Sequence, residues 1–343
     1  MLDLLKALDA PRGISGRETA VASVVKNYFS KFCDSVSTDN LGSVYGVKHC
    51  AKEGAPTLMF EAHLDEIGMV VSGFTKEGSL RFIPIGGIDA KILPGMCVTV
   101  HSQSGDIFGV IGAKPPHLVT DRSKAPLISD MAVDIGYSEE KTRSLVCVGD
   151  TISVNATFEK LCGTCAAGRC FDDRASIAVI IKALEIMQSY NITCHIHAVA
   201  AVQEEVGLRG AAVAAANIMP DAAIAIDVCH GKSAGVDEGA FECGKGIVVS
   251  VGPNLHPRLT KKLLDTAAAE RLDVQLDADG GNTGTDAWEI QVAKTGIPVA
   301  LLSVPLRYMH SNYEVCDTRD LESAARLLAQ TALSFKGGEE LCF

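Results

Sequence analysis

Two hydrophobic patterns alternate along most of this chain. Apolar, β-branched runs such as TLMFEAHLD (57–65) and AAIAIDV (222–228) predict strands. Between such runs, apolar residues with helical spacing predict helices, as in RASIAVIIKALEIMQSY (174–190) and DLESAARLLAQTALSF (320–335). Strands that alternate with helices form a sheet that the helices cover. The sequence therefore predicts an α/β fold.

One region departs from that alternation. From about residue 67 to about residue 161, short predicted strands are separated by Gly and Pro, as in IGGIDAKILPGM (85–96), and no long helical pattern occurs. A small β-rich domain inserted into the α/β domain explains this change. We therefore predict a main domain formed by residues 1–66 and 162–343, and an inserted β-rich domain formed by residues 67–161.

Composition narrows the classes of function. The chain has 343 residues, of which 47% are hydrophobic, and this is enough for a large core. The formal net charge is -11 with acidic residues spread along the chain, which argues against nucleic acid or a membrane as the principal partner. No segment has the pattern of a membrane span or a secretory signal. The 12 scattered cysteines therefore predict reduced thiols and a cytoplasmic location.

Polar residues follow several of the predicted strands. His63 and Asp65 end one strand, and residues two apart in an extended segment point the same way, so the carboxylate can orient a metal-ligating imidazole. Polar capping of the strand end is the alternative. Asp172 and Asp173 directly precede a predicted helix. One carboxylate is enough to cap that helix, and the other could bridge two cations.

Two adjacent glutamates, Glu204 and Glu205, follow another apolar strand. Open α/β sheets build their sites at the carboxyl ends of strands. One glutamate could bind a metal while its neighbour acts as a general base. Structural ion pairs with Arg209 or Arg174 are the alternative.

Asp227 and His310 each follow a further apolar strand. Together with His63, one aspartate of the pair Asp172 and Asp173, and one of the two glutamates, they make a mixed set of nitrogen and oxygen donors that suits Zn²⁺, Co²⁺ or Mn²⁺. Five ligands with one bridging carboxylate suit two ions roughly 3.5–4 Å apart, as in two-metal hydrolases. The pattern therefore predicts a dinuclear metallohydrolase.

Six motifs resemble, in order and in approximate spacing, the glutamyl-aminopeptidase and tetrahedral (TET) aminopeptidase family of dinuclear metallo-exopeptidases. They are HLDEIG (63–68), FDDRAS (171–176), QEEVGLRGA (203–211), IDV (226–228), TGTDA (283–287) and RYMHS (307–311). The resemblance covers nearly the whole chain. It implies an α/β, mixed-sheet metallopeptidase catalytic domain with a small inserted β-rich dimerisation domain.

The resemblance also implies a role for each candidate residue. The implied metal ligands are His63, Asp172, Glu205, Asp227 and His310. Asp172 would bridge two ions and would be joined to Asp173 by a cis peptide bond. Glu204 would be the general base, and Asp65 would support His63. Members of this family remove N-terminal residues from peptides, and they often assemble from dimers into hollow tetrahedral dodecamers.

Substrate preference is less constrained by the sequence. Thr283 and Arg307 are candidate substrate contacts, and an arginine in the pocket would favour acidic N-terminal residues, although it could equally pair with a local acid. Two other functions compete with the aminopeptidase hypothesis. One is a different dinuclear metallohydrolase on the same scaffold, either a deacylase or a glycosidase, and the other is a self-assembling shell with a degenerate site.

Several residues depart from the family pattern. Cys162, Cys165 and Cys170 precede the aspartate pair, and Cys229 follows IDV where a threonine is usual. The cluster could be redox-active, bind structural zinc with Cys147 or Cys194, or consist of free thiols. In the last motif, Asn312 replaces the proline that usually follows His-Ser.

Overall fold

The computed structural model describes residues 1–114, 116–118 and 126–341. Residue 115 and residues 119–125, which fall within the predicted inserted domain, lie outside the described residues, as do 342–343. The α-helices are α1 (Leu2–Asp9), α2 (Thr19–Phe29), α3 (Glu139–Leu145), α4 (Phe171–Met187), α5 (Arg209–Ile218), α6 (Pro257–Ala269), α7 (Ala287–Gln291) and α8 (Thr318–Ser334).

The strands include all the apolar runs that predicted them. They are β1 (Ser35–Thr38), β2 (Val44–Lys48), β3 (Thr57–His63), β4 (Gly68–Phe74), β5 (Leu80–Ile85), β6 (Cys97–Ser102), β7 (Gly105–Gly112), β8 (Ala132–Asp134), β9 (Thr151–Val154), β10 (Glu159–Lys160), β11 (Cys165–Gly168), β12 (His195–Ala201), β13 (Ala222–His230), β14 (Ile247–Val251), β15 (Val274–Ala278), β16 (Val299–Leu306) and β17 (Glu314–Asp317).

One compact unit comprises Met1–Asp65, Phe158–Met309 and Tyr313–Phe343. Its main sheet has the strand order β1-β2-β12-β3-β13-β16-β14-β15. The central strands β12, β3, β13 and β16 are parallel, whereas β2 and β14 run antiparallel to their central neighbours. The predicted α/β fold with a mixed sheet is therefore confirmed.

Helices cover both faces of this sheet. On one face, residues of α1, α2, α4, α6 and α8 form a large apolar core with alternate strand residues such as Leu58, Phe60 and Ile196. On the other face, α5 and α7 pack on Met59 and Val199. Because the central strands are buried from both sides, they are nearly continuous apolar runs, and their polar residues gather at the strand ends.

The second unit comprises Glu66–Thr157 and His310–Asn312. Its strands close into an antiparallel barrel in the order β4-β5-β8-β7-β6-β9. Alternate side chains fill the barrel with a separate apolar core that includes Val71, Val98, Val133 and Ile152. The dimerisation role that the resemblance implies for this region remains a prediction.

None of the helices in the described part of the chain combines the length and the apolarity that crossing a bilayer requires.

Candidate metal centre

The candidate site lies at the carboxyl ends of neighbouring parallel strands in the first unit. His63 is the last residue of β3, Glu204 and Glu205 follow β12, and Asp227 lies near the end of β13. Because β12, β3 and β13 are adjacent and parallel, their ends meet at one edge of the sheet. The fold thus brings together residues that are far apart in the sequence.

The His63 ring is buried among carboxylates. Its Nε2 lies 3.1 Å from Asp172 Oδ1 and 3.8 Å from Glu204 Oε2. Its Nδ1 lies 3.2 Å from the Asp65 carbonyl oxygen and 3.6 Å from Asp65 Oδ1. Burial by itself lowers the pKa of His63, but Glu204, Asp172 and Asp65 outweigh burial and raise the pKa well above its usual value. The ring therefore lies in a strongly negative environment that attracts cations.

The buried Asp65 carboxylate connects His63 to the glutamate pair. Its Oδ1 accepts the backbone N–H of Glu204 at 2.9 Å, and its Oδ2 accepts that of Glu205 at 3.3 Å. A single carboxylate therefore lies against the imidazole and fixes the backbone that carries both glutamates. This contact is more extensive than the support of His63 that the sequence implied.

The aspartate pair starts α4 with an irregular backbone. The peptide bond between Asp172 and Asp173 is cis, and both residues have non-helical dihedral angles. The Asp172 backbone N–H donates to Glu314 Oε2 at 2.9 Å, while Asp173 Oδ2 accepts the backbone N–H of His63 at 3.3 Å. A carboxylate oxygen of Asp172 also lies within 4.8 Å of one of Glu205. Asp172 thus lies between His63 and Glu205, where a bridging carboxylate would lie.

Two groups of possible ligands meet at His63 in the first unit. One ligand atom from each of His63, Asp173 and Asp227 lies within 4.8 Å of the others, and the same holds for His63, Glu204 and Glu205. The sequence predicts only a helix cap or a cis peptide bond to Asp172 for Asp173, so its place beside His63 and Asp227 was not predicted. Its adjacency to Asp172 was the only signal in the sequence.

The charges of this cluster suit divalent cations. Burial, with further repulsion from neighbouring carboxylates, raises the pKa of Asp227 to about 7 and that of Glu204 to about 9, whereas His63 lowers both. Asp173 Oδ1 is buried and has no hydrogen-bond partner among the described residues. Buried carboxylates without partners are costly, and a metal ion satisfies them. One imidazole with several carboxylates is a donor set that fits Zn²⁺, Co²⁺ or Mn²⁺.

A second carboxyl pair, Glu61 and Asp286, lies close to the ligands. Both residues are buried, and within the described part of the chain their four carboxyl oxygens have no hydrogen-bond partner other than the opposite carboxyl group of the pair. Burial raises the pKa of Glu61 to about 8, and that of Asp286 well above its usual value, with mutual repulsion adding to the shift of Asp286. The sequence assigned neither residue a role, although Asp286 belongs to the TGTDA motif. Glu61 was detectable, because it is two residues before His63 on β3 and shares its face.

The other predicted site residues have the following surroundings. His310 belongs to the second unit, where its Nδ1 lies 3.0 Å from the Gly87 carbonyl oxygen. The hydroxyl of Thr283 lies 2.8 Å from that of Thr285. Nη2 of Arg307 lies 3.7 Å from Cys165 Sγ. The roles of His310 as a ligand and of Thr283 and Arg307 as substrate contacts remain predictions.

The unusual cysteines differ in exposure. Cys162 is exposed, Cys165 is half-buried, and Cys170 is buried with its Sγ 3.6 Å from the Asp9 carbonyl oxygen. Burial raises the pKa of the Cys229 thiol, which disfavours the thiolate that metals bind.

Comparison with known proteins places this geometry in a family. Residues 42–327 match the family model described as M42 glutamyl aminopeptidase. The chain is 34% identical to the lysyl aminopeptidase of Pyrococcus furiosus, over 95% of this chain and 94% of that protein.

Solved structures agree. A TET aminopeptidase from a marine sediment Thaumarchaeota archaeon superimposes with a TM-score of 0.92 at 32% identity, covering 99% of this chain and 97% of that one. The Pyrococcus horikoshii TET1 peptidase, which can assemble into a tetrahedron or a large octahedral shell, gives a TM-score of 0.86 at 31% identity, covering 97% and 99%. The chain therefore belongs to the M42 glutamyl aminopeptidase family of peptidase hydrolases.

Proposed function

We propose that this chain uses two divalent metal ions and a glutamate general base to remove N-terminal residues from peptides. His63 and Asp227 would hold one ion, Glu205 and His310 the other, and Asp172 would bridge them. When bound, the ions would supply Lewis-acid activation of the attacking water and of the peptide carbonyl. Zn²⁺ or Co²⁺ fits this donor set best, and Mn²⁺ is also compatible.

The position of Glu204 is the observation that carries this proposal. Its carboxylate lies 3.8 Å from His63 Nε2, and its backbone N–H is held by Asp65. Burial raises the pKa of Glu204, and the positive charge of bound ions would lower it again, so that the carboxylate would be ionised and able to accept a proton. Glu204 would take the proton from the attacking water and then deliver it to the leaving amine.

The negative charge of the site supports action at a peptide N-terminus. The carboxylates around His63 attract the positively charged α-amine of a peptide and disfavour a C-terminal carboxylate. For the side chain of the first residue, we keep the hypothesis that Arg307 favours acidic substrates. The lysyl preference named for the Pyrococcus furiosus relative shows that related chains with other preferences exist.

We also propose that the chain forms a cytoplasmic homo-oligomer built from dimers, in the form of a tetrahedral dodecamer. The assemblies named for the Pyrococcus horikoshii TET1 peptidase support this arrangement. A hollow shell of that kind would admit peptides but not folded proteins.

Metal dependence and the role of Glu204 can be tested together. Chelated protein should be inactive, and Zn²⁺, Co²⁺ or Mn²⁺ should restore release of p-nitroaniline from aminoacyl-p-nitroanilides but not from their N-acetylated forms. Glu204→Gln should lower kcat by about three orders of magnitude or more, because the general base is lost, while two ions per chain remain bound. The matched control Glu185→Gln, at an exposed position on α4, should retain full activity.

Three outcomes would each contradict one part of the proposal. Undiminished turnover by Glu204→Gln would exclude Glu204 as the base. Wild-type protein that binds two ions but cleaves no free-amine substrate would refute the aminopeptidase activity. A leucyl substrate that is cleaved far better than a glutamyl one would refute the acidic preference.

A further inference from the structure

Residues 10–18, between α1 and α2, form what we call the anchoring segment. Arg174 holds this segment next to the candidate metal centre. This arginine directly follows the aspartate pair, and its side chain is 1% exposed. Its Nη1 donates to the carbonyl oxygens of Leu8 at 3.0 Å and Pro11 at 2.6 Å, and its Nε donates to that of Leu64 at 3.1 Å. One buried guanidinium therefore ties the anchoring segment to the residue between His63 and Asp65.

The anchoring segment has little freedom to move. A Cβ added at Gly13 would lie 2.5 Å from Arg174 Nη2 and 2.6 Å from Val21 Cγ1, so a side chain there would displace the guanidinium. Ile14 is buried in the protein. The Glu18 carboxylate accepts the backbone N–H of Gly16 at 2.6 Å and closes the turn that follows. The residue between these contacts, Ser15, is consequently held in a fixed position.

Ser15 extends this rigid segment to Asp65. Its hydroxyl donates to Asp65 Oδ2 at 2.6 Å. The same carboxylate accepts the backbone N–H groups of Glu204 and Glu205 and lies 3.6 Å from His63 Nδ1. The Ser15 hydroxyl is thus one of three hydrogen-bond donors that fix the two oxygens of this fully buried carboxylate.

We infer that Ser15 is a positioning residue for the proposed reaction, acting through Asp65 on the general base Glu204 and on the ligand His63. Loss of the hydroxyl removes one donor from Asp65 Oδ2 and frees the carboxylate to rotate. Rotation loosens the backbone hydrogen bonds that place Glu204 and Glu205, and it moves the charge that lies beside His63. A small displacement of catalytic groups lowers the rate strongly even when binding is unchanged.

Three serine variants of the full-length protein test this role. Ser15→Ala should lower kcat roughly ten-fold and weaken zinc affinity, measured by competition with a chelator, roughly ten-fold, the lower end of the effect of residues that support metal ligands. KM should stay within about two-fold, because Ser15 acts on Asp65 rather than on the substrate. Ser15→Thr keeps the hydroxyl and should restore most of both losses. The control Ser23→Ala removes an exposed hydroxyl that bonds within α2, and it should match the wild type.

A double-mutant cycle with Asp65→Asn tests whether Ser15 acts through Asp65. If Ser15 acts through Asp65, adding Ser15→Ala to Asp65→Asn should reduce kcat and zinc affinity much less than it does in the wild type. Equal losses in both backgrounds would overturn the inference, as would wild-type kcat and zinc affinity in Ser15→Ala. Should Asp65→Asn fail to fold, a Ser15→Thr variant as impaired as Ser15→Ala would overturn it. Zinc competition remains informative in a chain without peptidase activity, so a failure of the proposed function is distinguished from a failure of this inference.

Discussion

At the scale of single residues, buried carboxyl groups determine the chemistry of the site, and they also lower the stability of the fold. A carboxyl whose pKa is higher in the folded protein than in the unfolded chain destabilises the fold where the unfolded chain ionises it. Glu18 offers a measurable case, because it lies in the anchoring segment and is not a proposed ligand. Burial is the main reason that its pKa rises from 4.5 to about 7.

Replacing Glu18 with glutamine should change how stability depends on pH. Between pH 4.5 and about 7 the folded wild type binds more protons than the unfolded chain, so Glu18 makes the free energy of unfolding fall as pH rises through this range. Glutamine keeps an acceptor for the Gly16 N–H but does not ionise. We therefore expect the variant to gain stability relative to the wild type from pH 4.5 to 7.5, by roughly 1–2 kcal/mol.

Thermal unfolding of both proteins across this pH range measures the difference. The exposed control Glu185→Gln should give a curve parallel to that of the wild type. A Glu18→Gln curve that is equally parallel would show that Glu18 ionises normally in the folded protein.

The sequence indicated some residues of the site and not others, for a physical reason. His63, Asp172, Glu205 and Asp227 each follow an apolar strand or begin a helix, and local pattern detects such positions. Ser15 reaches Asp65 across fifty residues of sequence, and nothing in the local pattern around Ser15 signals that contact. Asp286 lies in a loop before α7, where only the packing of the folded chain places it beside Glu61.

At the scale of elements, α4 is the central helix of the first unit. Fourteen of its seventeen residues are buried, because it lies on the sheet and is covered by other helices, including α1 and α8. It also begins at the aspartate pair. Packing that holds α4 therefore also holds Asp172 and Asp173, and stability and site geometry depend on the same helix.

Truncation of a core residue of α4 should be costly. Leu184 is fully buried in the main core. Leu184→Ala removes apolar contacts and leaves a cavity, so we expect the free energy of unfolding to fall by about 2–5 kcal/mol in chemical denaturation. The control Leu276→Ala, at a leucine that is 60% exposed on β15, should change it by less than about 0.5 kcal/mol. A loss as small for Leu184→Ala as for the control would show that α4 is only loosely packed at this position.

Elements differed in how well the sequence predicted them. The long apolar strands and helices α4 and α8 were predicted because burial gives them continuous apolar runs or a regular helical spacing of apolar residues. The short strands β1 and β2 were missed, since SVST and VYGVK contain too few apolar residues for a clear pattern. The antiparallel direction of β14 was also beyond the sequence, because strand direction depends on long-range pairing.

At the scale of the whole molecule, the barrel unit exposes apolar side chains. On β7, Phe108 is 61% exposed and its neighbour on the same face, Val110, is 37% exposed; Ile83 on β5 is 53% exposed. Exposed apolar patches mark surfaces that bind other proteins. These residues are therefore the natural candidates for the proposed dimer contact.

A charge at this surface should break the assembly. We expect Phe108→Glu to shift the mass measured by light scattering towards the monomer, because an unpaired carboxylate is costly in an apolar interface. The control Tyr190→Glu, at an aromatic residue that is 53% exposed in the other unit, should leave the mass unchanged. An unaltered assembly in Phe108→Glu would move the dimer contact to another part of the protein.

The position of the barrel in the chain bears on how the protein is made. β3 pairs with β12 and β13, whereas every partner of β4 lies within the barrel segment itself. At synthesis rates of roughly 5–20 residues per second, the roughly 130 residues between β3 and β12 take on the order of 10 s to leave the ribosome. The barrel can close during that time while β3, an apolar strand with two open edges, has no partner. Much of that delay is the time needed to synthesise the barrel itself. The insertion therefore leaves β3, the strand that carries His63, open to aggregation in the nascent chain.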